Sequence, residues 1–435
     1  MILLYYGKGS VFNMKPIKKI NKLNIKTKNR IKNVFSIKNF NELSTIIMKK
    51  LKVAMMNLTD SRQKEKKIYK IWDVVVCVII AQLSGMKSWD DIHDFVEFNY
   101  DFFRKFLKMS GGIPSAKTYQ RIIEIIDHKE LEKITIEFYK SISTNLYDNI
   151  EILSLDRRVN NGSKRDDTYK VDKVLPLNVM NVYSHKYGIC IESESIDSKT
   201  NEIPMTKELI ERLFVKGAII TWDALNTQKE NVSCVIENCA DYVVPIKGNH
   251  QSFYNDLKDY FDTKTIECII AGKPRTAYKK ENEYKNGCSI IYEYIQTEDV
   301  NWYYEKDAWK SLNSIGLVRK TIVKLIDGKE KTSVEHRYYI SSLFLDIDLF
   351  SKSIRSHWNI ENKLHWHLDV TFKMDQNHTL SKNALLNLEI INKFCLGLLN
   401  KVKPYYNMSL RRIMNSLSFD IEKNFTEFVV FLAIS

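Results

Sequence analysis

The 435-residue sequence contains no Cys-x-x-Cys pair, and its seven cysteines (Cys77, Cys190, Cys234, Cys239, Cys268, Cys288, Cys395) follow no small-scaffold spacing. That argues against zinc ribbons and disulfide frameworks and fits a reducing cytoplasm. No apolar run is long enough to cross a bilayer, which takes about 20 residues. The longest, WDVVVCVIIAQL from Trp72 to Leu83, carries Asp73 and predicts a buried helix with no membrane role. The opening MILLYYGKGSVF puts apolar residues ahead of its first lysine, the reverse of a secretion signal, and lacks a cleavage pattern. The nearest glycine-rich string, Gly111-Gly112-Ile113-Pro114-Ser115, has neither a nucleotide-binding pattern nor a preceding strand, so ATP is not implied. There is no internal repeat of fixed period.

What the chain does have is positive charge. The formal net charge is +13 and the pI about 9.1, which favours a polyanion such as nucleic acid as partner. Residues 1–70 carry 18 Lys and Arg against 3 acids, so the remainder is close to neutral. A basic, disordered arm is therefore expected over residues 1–60.

From Ile68 to about Leu146 the signals are helical: Ser88 stands as a cap before WDDIHDFVEF, and Ser115 opens AKTYQRIIEII with apolar residues at three- and four-residue spacing. An all-helical domain is expected over 61–148. At Glu151 the period changes. EILSLD, VLPLNVMNVYS and YGICIESES read as strands, and helix, strand, helix, strand, helix follow through KELIERLFVKG, AIITWD, QKENVSCVIENC, DYVVPIK and SFYNDLKDYF. That order predicts an α/β fold with a ribonuclease-H-like mixed sheet and flanking helices, beginning over 149–264. Residues 265–345 read as a β-rich insertion, and 346–435 return to helices.

Asp156 closes the first apolar strand (LSLDRR) and Asp223 the fourth (IITWDAL), and strand ends are where open mixed sheets place their chemistry. Glu361 lies in HWNIENKLHWHLD, where Trp358, Leu364 and Leu368 recur at helical spacing. Neighbouring strands would bring the two aspartates together, with a helical glutamate completing the set. Ionised carboxylates so packed repel one another, and divalent cations relieve that. Hard oxygen ligands select Mg²⁺ or Mn²⁺, and two such ions suit in-line displacement at phosphorus. Spacing alone leaves open that each aspartate is a turn or cap residue.

The strings TWDALNTQKE, DYVVPIKGNHQSFYNDL, HRYYISSL and SHWNIENKLHWHLDVTFKMD closely resemble the transposases of H-repeat-associated (ISAs-type) insertion sequences, a branch of the DDE transposases. DSRQKEKKIYKIWDVV, LSGMKSWDDIHDF and GGIPSAKTYQRI resemble the helical region that precedes the catalytic domain there, so the likeness covers roughly residues 60–400. The resemblance implies that Asp156, Asp223 and Glu361 are catalytic and hold two Mg²⁺ (or Mn²⁺) ions. It implies binding to double-stranded DNA at terminal inverted repeats, cleavage and strand transfer, and a homodimer on DNA. Gln228, Lys229, Lys247 and Asn249 match family positions and are candidates for DNA contact or support of the acids. His357 stands where related transposases carry an arginine and is a phosphate-contact candidate.

The chain departs from the family after Asp156, reading Arg157-Arg158-Val159 and Asn161-Gly162-Ser163 where Gly-Lys-Thr and Arg-Gly-Ser are usual, and it has Asn286-Gly287-Cys288 in place of His-Gly-Arg. Arg157 and Arg158 retain positive charge and are expected to contact DNA. These departures keep a second reading open, a DNA-binding remnant without catalysis. A third is a structure-selective nuclease of the same fold. His365 and His367 are two apart and so point to different helix faces, which reads as structural rather than metal-binding; Trp358 and Trp366 read as core.

Overall fold

The computed structural model describes residues 37–434 except 64, 66, 144–149, 161–175, 197–201, 286, 327–328 and 380. Residues 1–36 of the expected arm, Asn161-Gly162-Ser163 and Asn286 lie outside the described residues.

The arm ends earlier than charge alone suggests. Ile37–Met55 is a helix, α1. Ile47, Leu51 and Met55 recur every fourth residue and, with Met48, are buried, while lysines occupy the other faces. Five further helices follow: α2 (Ile71–Leu83), α3 (Trp89–Phe98), α4 (Tyr100–Arg104), α5 (Ala116–Glu124) and α6 (His128–Ser141). The apolar run forms α2, buried at every residue but Trp72. Ser88 starts α3 with a reciprocal capping box to Asp91, and Ser115 caps α5.

The chain then builds strands β1 (Ile152–Asn160), β2 (Leu177–Ser184) and β3 (Ile189–Ile196), helix α7 (Glu202–Arg212), strand β4 (Ile219–Thr221), helix α8 (Lys229–Glu237), strand β5 (Asp241–Ile246) and helices α9 (Gln251–Tyr260) and α10 (Thr263–Ile270). Strands β6 (Thr276–Lys285), β7 (Cys288–Thr297), β8 (Ser314–Ile326) and β9 (Lys329–Ser341) follow. All nine strands form one sheet in the order β3-β2-β1-β4-β5-β9-β8-β7-β6. β1, β4 and β5 are parallel and the rest join antiparallel. The strands of the expected β-rich insertion continue the same sheet, β9 pairing with β5 from Val243↔Ser341 to Ile246↔Tyr338.

Helix α11 (Ile347–Ile360), two π-helical turns (Glu361–His365 and His367–Thr371), the long α12 (Lys382–Tyr406), α13 (Leu410–Phe419), a further π turn (Ile421–Phe425) and α14 (Thr426–Ile434) complete the described chain.

Alternation along β1 assigns its two faces. Leu153 and Leu155 enter a core with Leu209, Ile210, Val232 and Val235 of α7 and α8. Ile152 on the opposite face meets Phe350 and Ile354 of α11. Residues of α1 to α6 share one apolar cluster with α12, α13 and α14. On α12, the Asn387 amide donates to the carbonyls of Ile123 (2.8 Å) and Ile126 (2.9 Å) at the end of α5. Gly397 lets the same helix lie against β3, since a Cβ there would sit 2.5 Å from Ile189 Cγ2.

Candidate active site

Asp156 is not at the end of its strand, because β1 remains paired with β2 from Leu153↔Ser184 through Asn160↔Leu177. What ends is its other neighbour. β4 pairs with β1 only as far as Ser154↔Thr221, so Asp156 stands where that edge opens. Asp223 lies two residues beyond Thr221, as Asp156 lies two beyond Ser154, which puts both at one level along adjacent parallel strands. The chain leaves the ladder there: Asp223 caps a 3-10 turn, Ala224–Asn226, its Oδ1 accepting from the Leu225 amide at 2.9 Å.

That turn is held from behind. Trp222 Nε1 donates to Thr227 Oγ1 (3.1 Å), which donates to the Pro245 carbonyl on β5 (2.9 Å). The Asn249 amide donates to the Ala224 carbonyl (2.7 Å), and His250 Nε2 lies 2.6 Å from the Thr227 carbonyl. The Lys-Gly-Asn segment therefore positions the turn, and of its two candidates Lys247 alone is free of such a task, exposed just past β5. Gln228 donates to the Leu225 carbonyl (3.1 Å), and Lys229 pairs with Glu305 (2.9 Å). Both were candidate DNA contacts; their polar groups are engaged within the protein.

Glu361 opens the first π turn after α11 and is largely exposed, and His365, four residues on, is buried. His365 Nδ1 lies 3.1 Å from Glu361 Oε2 and 3.5 Å from Asp156 Oδ2. One donor atom from each of Asp156, Glu361 and His365 falls within 4.8 Å of the others. Asp223 is outside that group, but its charge reaches it. Burial raises the Asp156 carboxyl to about 6, with His365 opposing and Asp223 and Glu361 adding. Glu361 is lowered, first by its hydrogen bond to His365. Two acids thus converge on His365, and the third stands at the same sheet level on the next strand.

Arg158 corrects the expectation of a DNA contact. It lies on the same face of β1 as Asp156 and is buried, its side chain only 3% exposed. Nη1 meets Glu389 Oε2 of α12 at 2.9 Å, and Nε meets Asp369 Oδ1 of the second π turn at 3.0 Å. Glu389 also pairs with Lys393 (2.8 Å). Alternation turns Arg157 to the opposite face, where it is exposed and paired with Glu202.

His357 does not offer the cation expected of it. Burial takes its imidazole down to about 4, so it is neutral near pH 7, and its Nδ1 is buried without a hydrogen-bond partner. On the same sheet face Ser154 Oγ and His185 Nε2 pair at 2.7 Å, with His185 lowered to about 3 by burial. Trp366 is 48% exposed rather than core, whereas Trp358 is partly buried beneath the Arg337 guanidinium, 4.9 Å from the ring centre.

The residue the sequence reading missed is His365. Its distance of two from His367 is uninformative, and the spacing that places it is from Glu361, four away on one helical face.

No helix among the described residues is long and apolar enough to cross a membrane. The Transposase DDE domain family matches residues 156–397, beginning at Asp156 and spanning Asp223 and Glu361, and the family described as "DDE_Tnp_1-associated" matches residues 53–139. The chain is 26% identical over 373 residues to the "H repeat-associated putative transposase YhhI" of Escherichia coli (strain K12), covering 86% of this chain and 96% of that protein. It is 28% identical over 346 residues to the "Putative transposase YncI" of Escherichia coli O157:H7, covering 80% of this chain and 86% of that one. Among solved structures, a piggyBac transposase synaptic complex with hairpin DNA is similar at a TM-score of 0.34 and 11% identity, over 88% of this chain and 78% of that one. On the family match over more than half its length, the chain belongs to the DDE transposases.

Proposed function

We propose that the protein binds the terminal inverted repeats of a mobile element as double-stranded DNA and catalyses metal-dependent strand cleavage and strand transfer, with Asp156, Asp223 and Glu361 as the catalytic acids. The observation that carries this is the convergence of Asp156 and Glu361 at the point where β4 ends, with Asp223 on β4's extension at the same level. A ribonuclease-H-like core is part of the proposal. It is supported by β1, β2 and β3 in antiparallel succession followed by parallel β4 and β5, in the order 3-2-1-4-5.

The donor set fits hard divalent cations, since it offers carboxylate oxygens around a partly buried point where one carboxyl is already disfavoured as an anion. Mg²⁺ or Mn²⁺, when bound, supplies electrostatic stabilisation of the charge that develops at phosphorus. Asp156 and Glu361 would hold the cation, with Asp223 approaching from its turn. The Trp222, Thr227, Pro245 and Asn249 bonds keep that turn from swinging away. Lys247, exposed, is the foremost phosphate contact of the proposed set, with Arg157 and Lys229 joining it where DNA displaces their ion pairs to Glu202 and Glu305. A homodimer on DNA and action in the cytoplasm complete the reading.

The departure at Arg158 is accommodated within the fold, its guanidinium matched by Glu389 and Asp369. The deciding assay is nicking and joining with Mn²⁺ on duplexes bearing the element's ends. Turnover lost in Asp223→Asn with DNA affinity kept is the expected result. Absence of turnover in the wild type would leave only a DNA-binding protein, and cleavage indifferent to the end sequence would leave a nuclease.

A further inference from the structure

We infer that His365 is itself a ligand, so that a cation at this site is held by one imidazole nitrogen and two carboxylates, those of Asp156 and Glu361. The inference deepens the metal-dependent reading above and rests on it. Of the acids, Asp156 and Glu361 are within 4.8 Å of a common third donor, and that donor is His365 Nδ1 rather than Asp223. The ring is confined: its side chain is 4% exposed, and it reaches both carboxylates, at 3.1 and 3.5 Å.

A purely structural histidine accounts for this geometry poorly. A single Nδ1 proton faces two carboxylate oxygens and can satisfy only one of them well. A cation in its place attracts both.

The far side of the ring is built for the exchange. Asn181, directly across the β1–β2 ladder from Asp156, brings Nδ2 within 3.5 Å of His365 Nε2. With Asn181 donating, Nε2 is the acceptor and Nδ1 carries the proton. When Nδ1 coordinates, the proton resides on Nε2 and the turned Asn181 amide accepts it through Oδ1. Ligating histidines are commonly oriented by such an outer hydrogen bond. A nitrogen donor also moves preference from Mg²⁺ toward Mn²⁺, because imidazole suits transition metals better than it suits magnesium.

The test uses the full-length protein and Mn²⁺ as probe. Pulsed electron paramagnetic resonance on Mn²⁺-loaded wild type should show modulation from a directly bound nitrogen that shifts when histidines are ¹⁵N-labelled. It should persist in His357→Gln and His185→Gln and vanish in His365→Gln, whose Mn²⁺ affinity should fall roughly tenfold or more. His365→Asn serves as a smaller second variant, and the labelled wild type decides the presence of nitrogen even if neither variant folds. Tight Mn²⁺ binding that Asp156→Asn abolishes but that shows no nitrogen coupling overturns the role of His365 and leaves the carboxylate site standing. Coupling lost in His357→Gln or His185→Gln instead also overturns it. No Mn²⁺ binding, or binding indifferent to Asp156→Asn, sinks the carboxylate reading and this inference with it.

Discussion

Two adjacent arginines on β1 should differ sharply in what they contribute to stability. Arg158 is buried against Glu389, whose side chain is 0% exposed, and Arg157 is 44% exposed against Glu202. Removing one partner of a buried pair leaves an uncompensated charge and costs about 3–5 kcal/mol. Glu389 keeps Lys393 at 2.8 Å, so Arg158→Met should fall at the lower end, about 3 kcal/mol. In a body of this size that is a drop in Tm of roughly 3–4 °C. Arg157→Met removes a guanidinium that is 44% exposed to water, although its partner Glu202 is only 10% exposed, and should cost less, about 1 kcal/mol. Arg158→Lys, which keeps the charge but not the two-armed reach to Glu389 and Asp369, should lie between. Adding Glu389→Gln to Arg158→Met should deepen the loss, because Lys393, its side chain 4% exposed, is then left without its carboxylate. Thermal unfolding of the variants, followed by circular dichroism and calorimetry, reads all four. Equal melting of Arg157→Met and Arg158→Met would show that the burial argument is wrong, as would a double variant more stable than Arg158→Met alone.

Glu132 on α6 is buried, with Lys129 no nearer than 3.9 Å, and burial raises it to about 7 from its usual 4.5. A raised carboxyl favours the folded state fully only below its unfolded value, and that advantage is lost as pH climbs through about 7. Glu132→Gln should therefore melt close to wild type at pH 5 and higher by pH 8, by an amount on the order of 2–3 kcal/mol; no widening between those pH values would refute this. Gly397→Ala should cost about 1–3 kcal/mol through its clash with Ile189, and chemical denaturation should show that cost shrinking in an Ile189→Ala background. Asn249→Ala, which releases the Asp223 turn, should slow cleavage with end-binding affinity retained. Lys247→Ala should instead weaken DNA binding and reduce its salt dependence by about one counterion, as read in filter-binding titrations.

Much of the scaffold could be read from periodicity. The switch from helical to alternating patterning at Glu151 and the run of three strands before the first crossover helix locate β1 to β5, because period is a local property. The β-rich character of 265–345 was equally legible, but its attachment to β5 was not, since edge pairing between β5 and β9 depends on register across almost a hundred residues. Charge misled where it was averaged: lysines around α1 hid the four-residue recurrence of Ile47, Leu51 and Met55. It misled again at Arg158, where the sequence shows a cation two residues from the proposed catalytic Asp156 but not that Glu389, far along the chain, is turned toward it. Asp156, Asp223 and Glu361 stood out through the family resemblance more than through spacing. His365 was overlooked because its partner was sought among histidines rather than four residues back.

The single apolar cluster that joins α1 to α6 with α12, α13 and α14 has a consequence for synthesis. When the ribosome has delivered α2, the helices that should cover it are still some three hundred residues away. The emerging amino-terminal half must wait with oily surface uncovered, a natural client for chaperones. A chain cut short before α12 would leave those apolar residues of α1 to α6 without the partners that α12, α13 and α14 supply.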